Sequence, residues 1–162
     1  YMQKINIMSN SKDPVARILS NLAVTPFSYG GYRFKCVEAA LQGIKIANKA
    51  KREKVFKMNG MNSLKIGREI TLVVKDNEKR YVYWGNKKIP YNSQAHRLLI
   101  ASFIREKVRQ SIEVQQALVK TKGSFVYHDV GPEHLKTSLP EKLFIEILLA
   151  ERKILLKLLS LK

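Results

Sequence analysis

The chain has 162 residues, 45% of them hydrophobic, and a net charge of +17 from 30 Lys and Arg against 13 Asp and Glu. That length and apolar content fit one folded domain with a sizeable core and exclude disorder, while a single cysteine, Cys36, excludes an internal disulfide and suits a reducing compartment. The charge favours polyanionic partners such as nucleic acid, or phosphate-bearing substrates, although lysine-rich composition alone yields the same number.

In chain order, residues 14–22 (PVARILSNL) carry few regular signals and are expected to form an extended lead-in; residues 1–18 would precede a single domain over 19–160. TPFSYGGYRF has turn chemistry at Gly30-Gly31 between β-favouring residues and predicts a short hairpin. A helix is expected over 35–48, with a basic continuation to about residue 58 that carries Lys45, Lys49, Lys51, Arg52, Lys54 and Lys57. Those cations form either a solvated face or a surface that tracks phosphates. MNGMNS breaks the helix. EITLVV (69–74) and RYVYW (80–84) read as strands joined by the turn KDNEK, and GNKK as a second turn leading into IPY.

From Asn92 or Ser93, a helix N-cap, the pattern is strongly helical through QAHRLLIASFIREKVRQ, and EVQQALVKT continues it or starts a short partner helix. SFVYHDV reads as extended, followed by the loop GPEHLK. Ser138-Leu139-Pro140-Glu141 has the form of a capping box, and the helix over 139–160 lines up Phe144, Ile147, Leu148, Ile154, Leu155 and Leu158 as a core-facing stripe. The fold class is therefore α+β: a single helix-dominated domain with short β-strands and hairpins. No signal-peptide pattern and no apolar run of membrane-spanning length is visible, so the expected location is cytoplasmic with no membrane partner.

Chemistry is best sought among the scarce carboxylates. No Walker loop, G-x-G-x-x-G, G-x-S-x-G or CxxC pair is present. His128, Asp129, Glu133 and His134 cluster in one loop, but their spacing matches no common metal site, so neither a metal nor a cofactor is expected. In GYRFKCVEAALQGIK, Phe34, Val37, Leu41 and Ile44 recur at three- and four-residue steps. At about 100° per residue, Glu38 falls roughly 40° and Lys45 roughly 20° from Phe34. Glu38, Gln42 and Lys45 thus make a polar row along the edge of the buried face. Such a glutamate either fixes the helix through an ion pair or hydrogen bond, or works at a pocket wall.

The segment LSNLAVTPFSYGGYRFKCVEAALQGIK resembles the opening signature of the NADAR (YbiA-like) N-glycosidase family, L-S-N-F-x-P-x-P-F, a variable hairpin, then Y-P-S-V-E-H-x-x-Q-x-x-K. Leu19, Ser20, Asn21, Pro26, Phe27, Val37, Glu38, Gln42 and Lys45 match; Lys35, Cys36 and Ala39 depart from it. Gly67-Arg68 resembles the family's G-R step. Farther on, His128, Asp129, Thr137, Ser138, Leu139 and Pro140 resemble the C-terminal block of one branch of that family, while Thr121-Lys122-Gly123 departs from its T-G-D.

The resemblance implies hydrolysis of a ribosyl N-glycosidic bond with no cofactor. Its substrate would be ADP-ribose-like or a ribosyl phosphate, such as ADP-ribose on guanine in DNA or other nucleic acid, or a phosphorylated riboflavin-pathway intermediate. A non-catalytic module that binds ADP-ribose or nucleic acid stays open, because Ala39 replaces the motif histidine. By the same resemblance Glu38 and Asp129 would be catalytic, and Asn21, Gln42, Lys45, Trp84, Tyr91, His128 and Ser138 would bind substrate. Trp84, Tyr91, Tyr29 and Tyr32 serve equally well as core aromatics, and Ser138 as a helix cap.

Overall fold

The computed structural model describes residues 2–73, 79–129, 131 and 139–162. Strand β1 (Lys4–Asn6) and helix α1 (Pro14–Leu19) come first, then the hairpin β2 (Phe27–Tyr29) and β3 (Tyr32–Phe34). Helices α2 (Val37–Gly43), α3 (Lys49–Phe56) and α4 (Gly60–Val73) follow, then the hairpin β4 (Tyr81–Trp84) and β5 (Lys87–Pro90). Helices α5 (Gln94–Gln110) and α6 (Ile112–Lys120), strand β6 (Phe125–Tyr127) and helix α7 (Glu141–Ser160) complete the chain. This is the helix-dominated α+β architecture that the sequence predicts.

Several local features follow from familiar signals. Gly30 and Gly31, at φ 60° and 84°, make the turn of the first hairpin, whose register pairs Phe27 with Phe34 and Tyr29 with Tyr32. Ser93 caps α5 by accepting from His96 N at 3.2 Å. Tyr81 pairs with Pro90 and Trp84 with Lys87 in the second hairpin.

Four expectations are corrected. Residues 14–19 are helical rather than extended: Asp13 Oδ1 accepts from Val15 N at 2.9 Å and Pro14 opens the first turn. The long helix over 35–58 is two helices. α2 ends at Gly43, and α3 restarts behind Asn48, whose Oδ1 accepts from Lys51 N at 3.0 Å. Arg52 stabilises this break by donating to Ile46 O (2.8 Å), Ala47 O (3.1 Å) and Gly85 O (3.3 Å). Arg52 is therefore a buried tie, not part of an exposed cationic row.

The third correction concerns EITLVV, whose residues 69–73 end helix α4 instead of forming a strand. α4 packs along α2, and that tertiary contact overrides the strand preference of its β-branched residues. Val74 and most of the KDNEK turn lie outside the described residues. Fourth, α7 has Pro140 at its N-cap with no side-chain capping bond. Glu141 Oε1 instead accepts from His128 N at 3.3 Å, and Ser138 lies outside the described residues. Phe144 and Leu148 are buried, but Ile154 is 45% and Leu158 55% exposed, so the last turns of α7 run past the core. Among the described residues no helix is long and apolar enough to cross a membrane.

Strand β1 near the N-terminus pairs in parallel with β6, which precedes the last helix, with Ile5 opposite Val126. Ile7, Leu19, Phe27, Phe34, Val37, Phe56, Phe103 and Phe144 belong to one apolar cluster, so the segment ahead of residue 19 is part of the same core.

Within that core sits a lysine. Lys107 is 1% exposed and donates to Ser20 O at 2.7 Å. Burial lowers its pKa from 10.5 to about 7, against a small upward pull from Cys36. The unfolded chain therefore binds more protons between pH 7 and 10.5, and stability from this group rises with pH across that window. Chemical denaturation of the wild type and Lys107→Met at pH 6.5 and pH 9 checks this. The wild type should gain on the variant by up to about 1.4 kcal/mol per pH unit. Parallel pH dependences would mean that Lys107 is charged in the fold.

Candidate functional site

Glu38 occupies the first turn of α2, where the helix N-terminus favours a negative charge. Two contacts define that end. Cys36 Sγ accepts from Ala39 N at 3.4 Å as the cap, and Glu38 N donates to Asn21 O at 2.9 Å. One turn later, Gln42 Nε2 donates to Glu38 Oε1 at 2.6 Å. Glu38 keeps part of its surface open to solvent, yet enough protein surrounds it that its pKa is raised. Desolvation outweighs, in order, the Gln42 bond and the nearby charges of Lys45, Arg68 and His128. A carboxyl group whose proton affinity is raised in this way is a candidate for acid–base chemistry.

Gln42 is 3% exposed and its Oε1 is packed against Gly67 of α4. A Cβ at position 67 would collide with Gln42 Oε1 and Cδ, so the glycine of the G-R step is what lets the carboxamide lie between the two helices. Arg68 follows directly, within electrostatic reach of Glu38. Gln42 Oε1 and Asn21 Oδ1 are buried acceptors with no donor among the described residues. Both belong to residues bonded to Glu38, and Asn21 Oδ1 suits a hydroxyl-rich ligand.

Lys45 continues the row. Burial lowers its pKa to about 8; Glu38 opposes that shift and Arg80 adds to it. Tyr83 N donates to Ile44 O at 2.7 Å, which brings the β4–β5 hairpin up to this end of α2. Between them lies a cavity of about 170 Å³ lined by Lys45, Lys79, Arg80, Tyr81, Tyr83 and Tyr91, with Ala47, Ile70 and Thr71. Beside Tyr91, at a ring separation of 4.9 Å, His96 is 1% exposed and accepts from Asn92 N through Nδ1 at 3.0 Å. Burial, then Lys45 and Arg97, lower its pKa to about 4, so it is a neutral imidazole with its proton on Nε2.

The structure thus brings Asn21, Glu38, Gln42, Lys45, Tyr91 and His128 to one region. His128 Nδ1 lies 2.6 Å from Ile7 O, which makes that nitrogen the donor. Its ring stands edge-on to Phe144 at 5.1 Å.

Two expected residues are placed elsewhere. Asp129 is exposed, its Oδ1 accepts from Gly131 N at 2.8 Å, and Asn6 holds its backbone from both sides. No contact among the described residues joins it to Glu38. Trp84 is packed in the aromatic core, 5.5 Å from the rings of both Tyr29 and Phe103, and it rests on Gly30, where a Cβ would strike its ring. It does not line the cavity. Ser138, Glu133 and His134 lie outside the described residues, among which no group of three or more His, Cys, Asp or Glu converges. Sequence reasoning missed Lys79, Arg80 and His96. Arg80 was visible only as the first residue of an expected strand.

Residues 14–153 match the profile of the family described as Bacteriophage protein GP30.3. Among solved structures, the NMR structure of the E. coli protein YbiA is similar, with a TM-score of 0.67 over 100% of this chain and 90% of that one, at 19% sequence identity. No curated protein matches.

Proposed function

The chain belongs to the Bacteriophage protein GP30.3 family, and from that premise, its YbiA-like fold and the Glu38 site we propose that it is an N-glycosidase of the NADAR kind, cleaving the bond between a ribosyl carbon and a base nitrogen. The observation that carries this is a single carboxyl group with a raised pKa, bonded at 2.6 Å to a buried glutamine and set beside a partly neutralised lysine.

Cleavage of such a bond passes through an oxocarbenium-like state. Ionised Glu38 would stabilise the developing positive charge and take a proton from the attacking water, and that proton would then pass to the departing nitrogen. His128, within electrostatic reach of Glu38, is better placed than Asp129 to assist that proton movement. Asn21 Oδ1, which has no donor among the described residues, would accept from a ribose hydroxyl.

The substrate we favour is ADP-ribosylated guanine in nucleic acid. Lys49, Lys51, Lys54 and Lys57 are exposed on and just beyond α3, directly after the catalytic helix, where they would track a phosphate backbone. A mass-spectrometric assay of released base, comparing an ADP-ribosylated guanine oligonucleotide with the mononucleotide adduct at low and moderate salt, tests this. The oligonucleotide should be the better substrate, with log affinity falling as salt rises by about 0.7 to 0.9 per phosphate contacted. Equal, salt-independent turnover of both would point to a small phosphorylated riboflavin-pathway intermediate. Absence of hydrolysis on either, with ADP-ribose bound, would leave a binding module.

A further inference from the structure

The cavity beside Lys45 has a composition that base removal alone does not require. Three cations reach it: Lys45 from just beyond α2, and Lys79 and Arg80 from the segment entering β4. Arg80 is held at its backbone, where its carbonyl accepts from Tyr91 N at 2.9 Å. The main chain at Arg80 is thus tied to the hairpin that is bonded to the end of α2. Tyr81, Tyr83 and Tyr91 supply phenol groups that both donate and accept hydrogen bonds. One face of Tyr81 is already occupied by Lys88, whose ammonium lies 4.1 Å from the ring centre, adding a fourth positive charge nearby.

These charges act against each other. Arg80 pushes the Lys45 pKa down while Glu38 pulls it up. An anion placed among Lys45, Lys79 and Arg80 would relieve that repulsion and accept hydrogen bonds from guanidinium, ammonium and phenol together. At about 170 Å³ the space is smaller than a pocket for a whole nucleotide-sized ligand, and it suits one group of a larger molecule.

We propose that the cavity lined by Lys45, Arg80 and Tyr91 is a phosphate subsite that holds the phosphate or pyrophosphate of the substrate's own ribosyl half. Lys45 is shared between this subsite and Glu38, so the anchored phosphate would fix the ribose against the carboxylate. The assignment of the phosphate to a ribosyl substrate rests on the N-glycosidase reading. The anion site itself does not.

Titration with inorganic pyrophosphate, followed by calorimetry and thermal shift, tests the subsite without any turnover. The wild type should bind saturably at one site. Arg80→Gln should weaken binding at least about tenfold, as expected for loss of a charge-assisted bidentate contact. Lys79→Gln, at an exposed position, should weaken it less, and Lys153→Gln, exposed on α7 and outside the cavity lining, should leave it unchanged. Equal losses in Arg80→Gln and Lys153→Gln would mean diffuse attraction to a basic protein and would overturn the proposal. Displacement of pyrophosphate, one for one, by an unmodified oligonucleotide would overturn it too, because the cavity would then read backbone phosphate. Saturable, Arg80-dependent binding in a protein that hydrolyses no ribosyl bond would support the subsite while removing the proposed reaction.

Discussion

Glu38→Gln should lower kcat by about two decades or more while leaving the protein folded. The substitution keeps the shape of the side chain, and the new amide oxygen still accepts from Gln42 Nε2, so the 2.6 Å contact has a replacement. What disappears is the charge and the proton-accepting capacity. The stability change runs the opposite way. Burial raises the Glu38 pKa above its unfolded value, so the group contributes favourably only at low pH, and that contribution is lost as pH rises through the folded pKa. Above that folded pKa the ionised carboxylate is a cost that glutamine does not carry. The variant should then melt at or above the wild-type temperature, the trade expected of a site built for chemistry rather than stability. Full turnover by Glu38→Gln would make Glu38 a structural carboxylate. A lower melting temperature without loss of turnover would point the same way.

The Glu38–Gln42 pair was legible because helical periodicity is local, about 100° per residue, whereas Phe34 lies in β3 and Lys45 just past the end of α2, where the helical wheel does not apply. The Gly30-Gly31 hairpin and the Ser93 cap were legible for the same reason. EITLVV was not, because its state is decided by the packing of α4 on α2, a contact between segments more than twenty residues apart. β1 is three residues long and is ordered by pairing with β6, which lies about 120 residues farther along the chain. Nothing within Lys4–Asn6 announces that partner. Asp13-Pro14 was a different kind of miss, since the cap and the first-turn proline were present in the sequence.

The Glu38 half of the site follows from a local pattern, whereas the cationic half is assembled by tertiary structure. Arg80 reaches Lys45 because Tyr83 N bonds to Ile44 O and draws the β4–β5 hairpin onto the end of α2. Charge composition pointed to an anionic ligand but not to its place. Conversely, the pattern could not tell that Arg52, in the middle of the basic run, is buried on three carbonyls. Trp84 illustrates the same limit. Its ring is used where Gly30 leaves room for it, and Gly30 lies on a hairpin more than fifty residues away.

Gly67→Ala should reduce activity by an amount out of proportion to its effect on stability. A methyl group at position 67 would occupy the place of the Gln42 carboxamide. Two responses relieve the clash: α4 moves away from α2, or Gln42 turns out and releases Glu38. Overpacking of this kind costs about 1–3 kcal/mol, and the better helix propensity of alanine returns up to about 1 kcal/mol of that. The net loss is therefore modest, whereas both responses disturb the Gln42 hydrogen bond to Glu38 Oε1. Gly43→Ala supplies the contrast. A Cβ there would meet the Phe56 ring at 2.5 Å, on the core side of the same helix, and would cost stability without touching the carboxylate. Carbon-13 titration of the Glu38 carboxyl group separates the two cases. Losing the Gln42 bond, which favours the ionised form, should raise the Glu38 pKa further in Gly67→Ala and leave it unmoved in Gly43→Ala. Turnover per folded molecule should fall in the first and hold in the second. If Gly67→Ala keeps both the wild-type titration and the wild-type rate, Gln42 does not position Glu38, and the close approach of α4 serves packing alone.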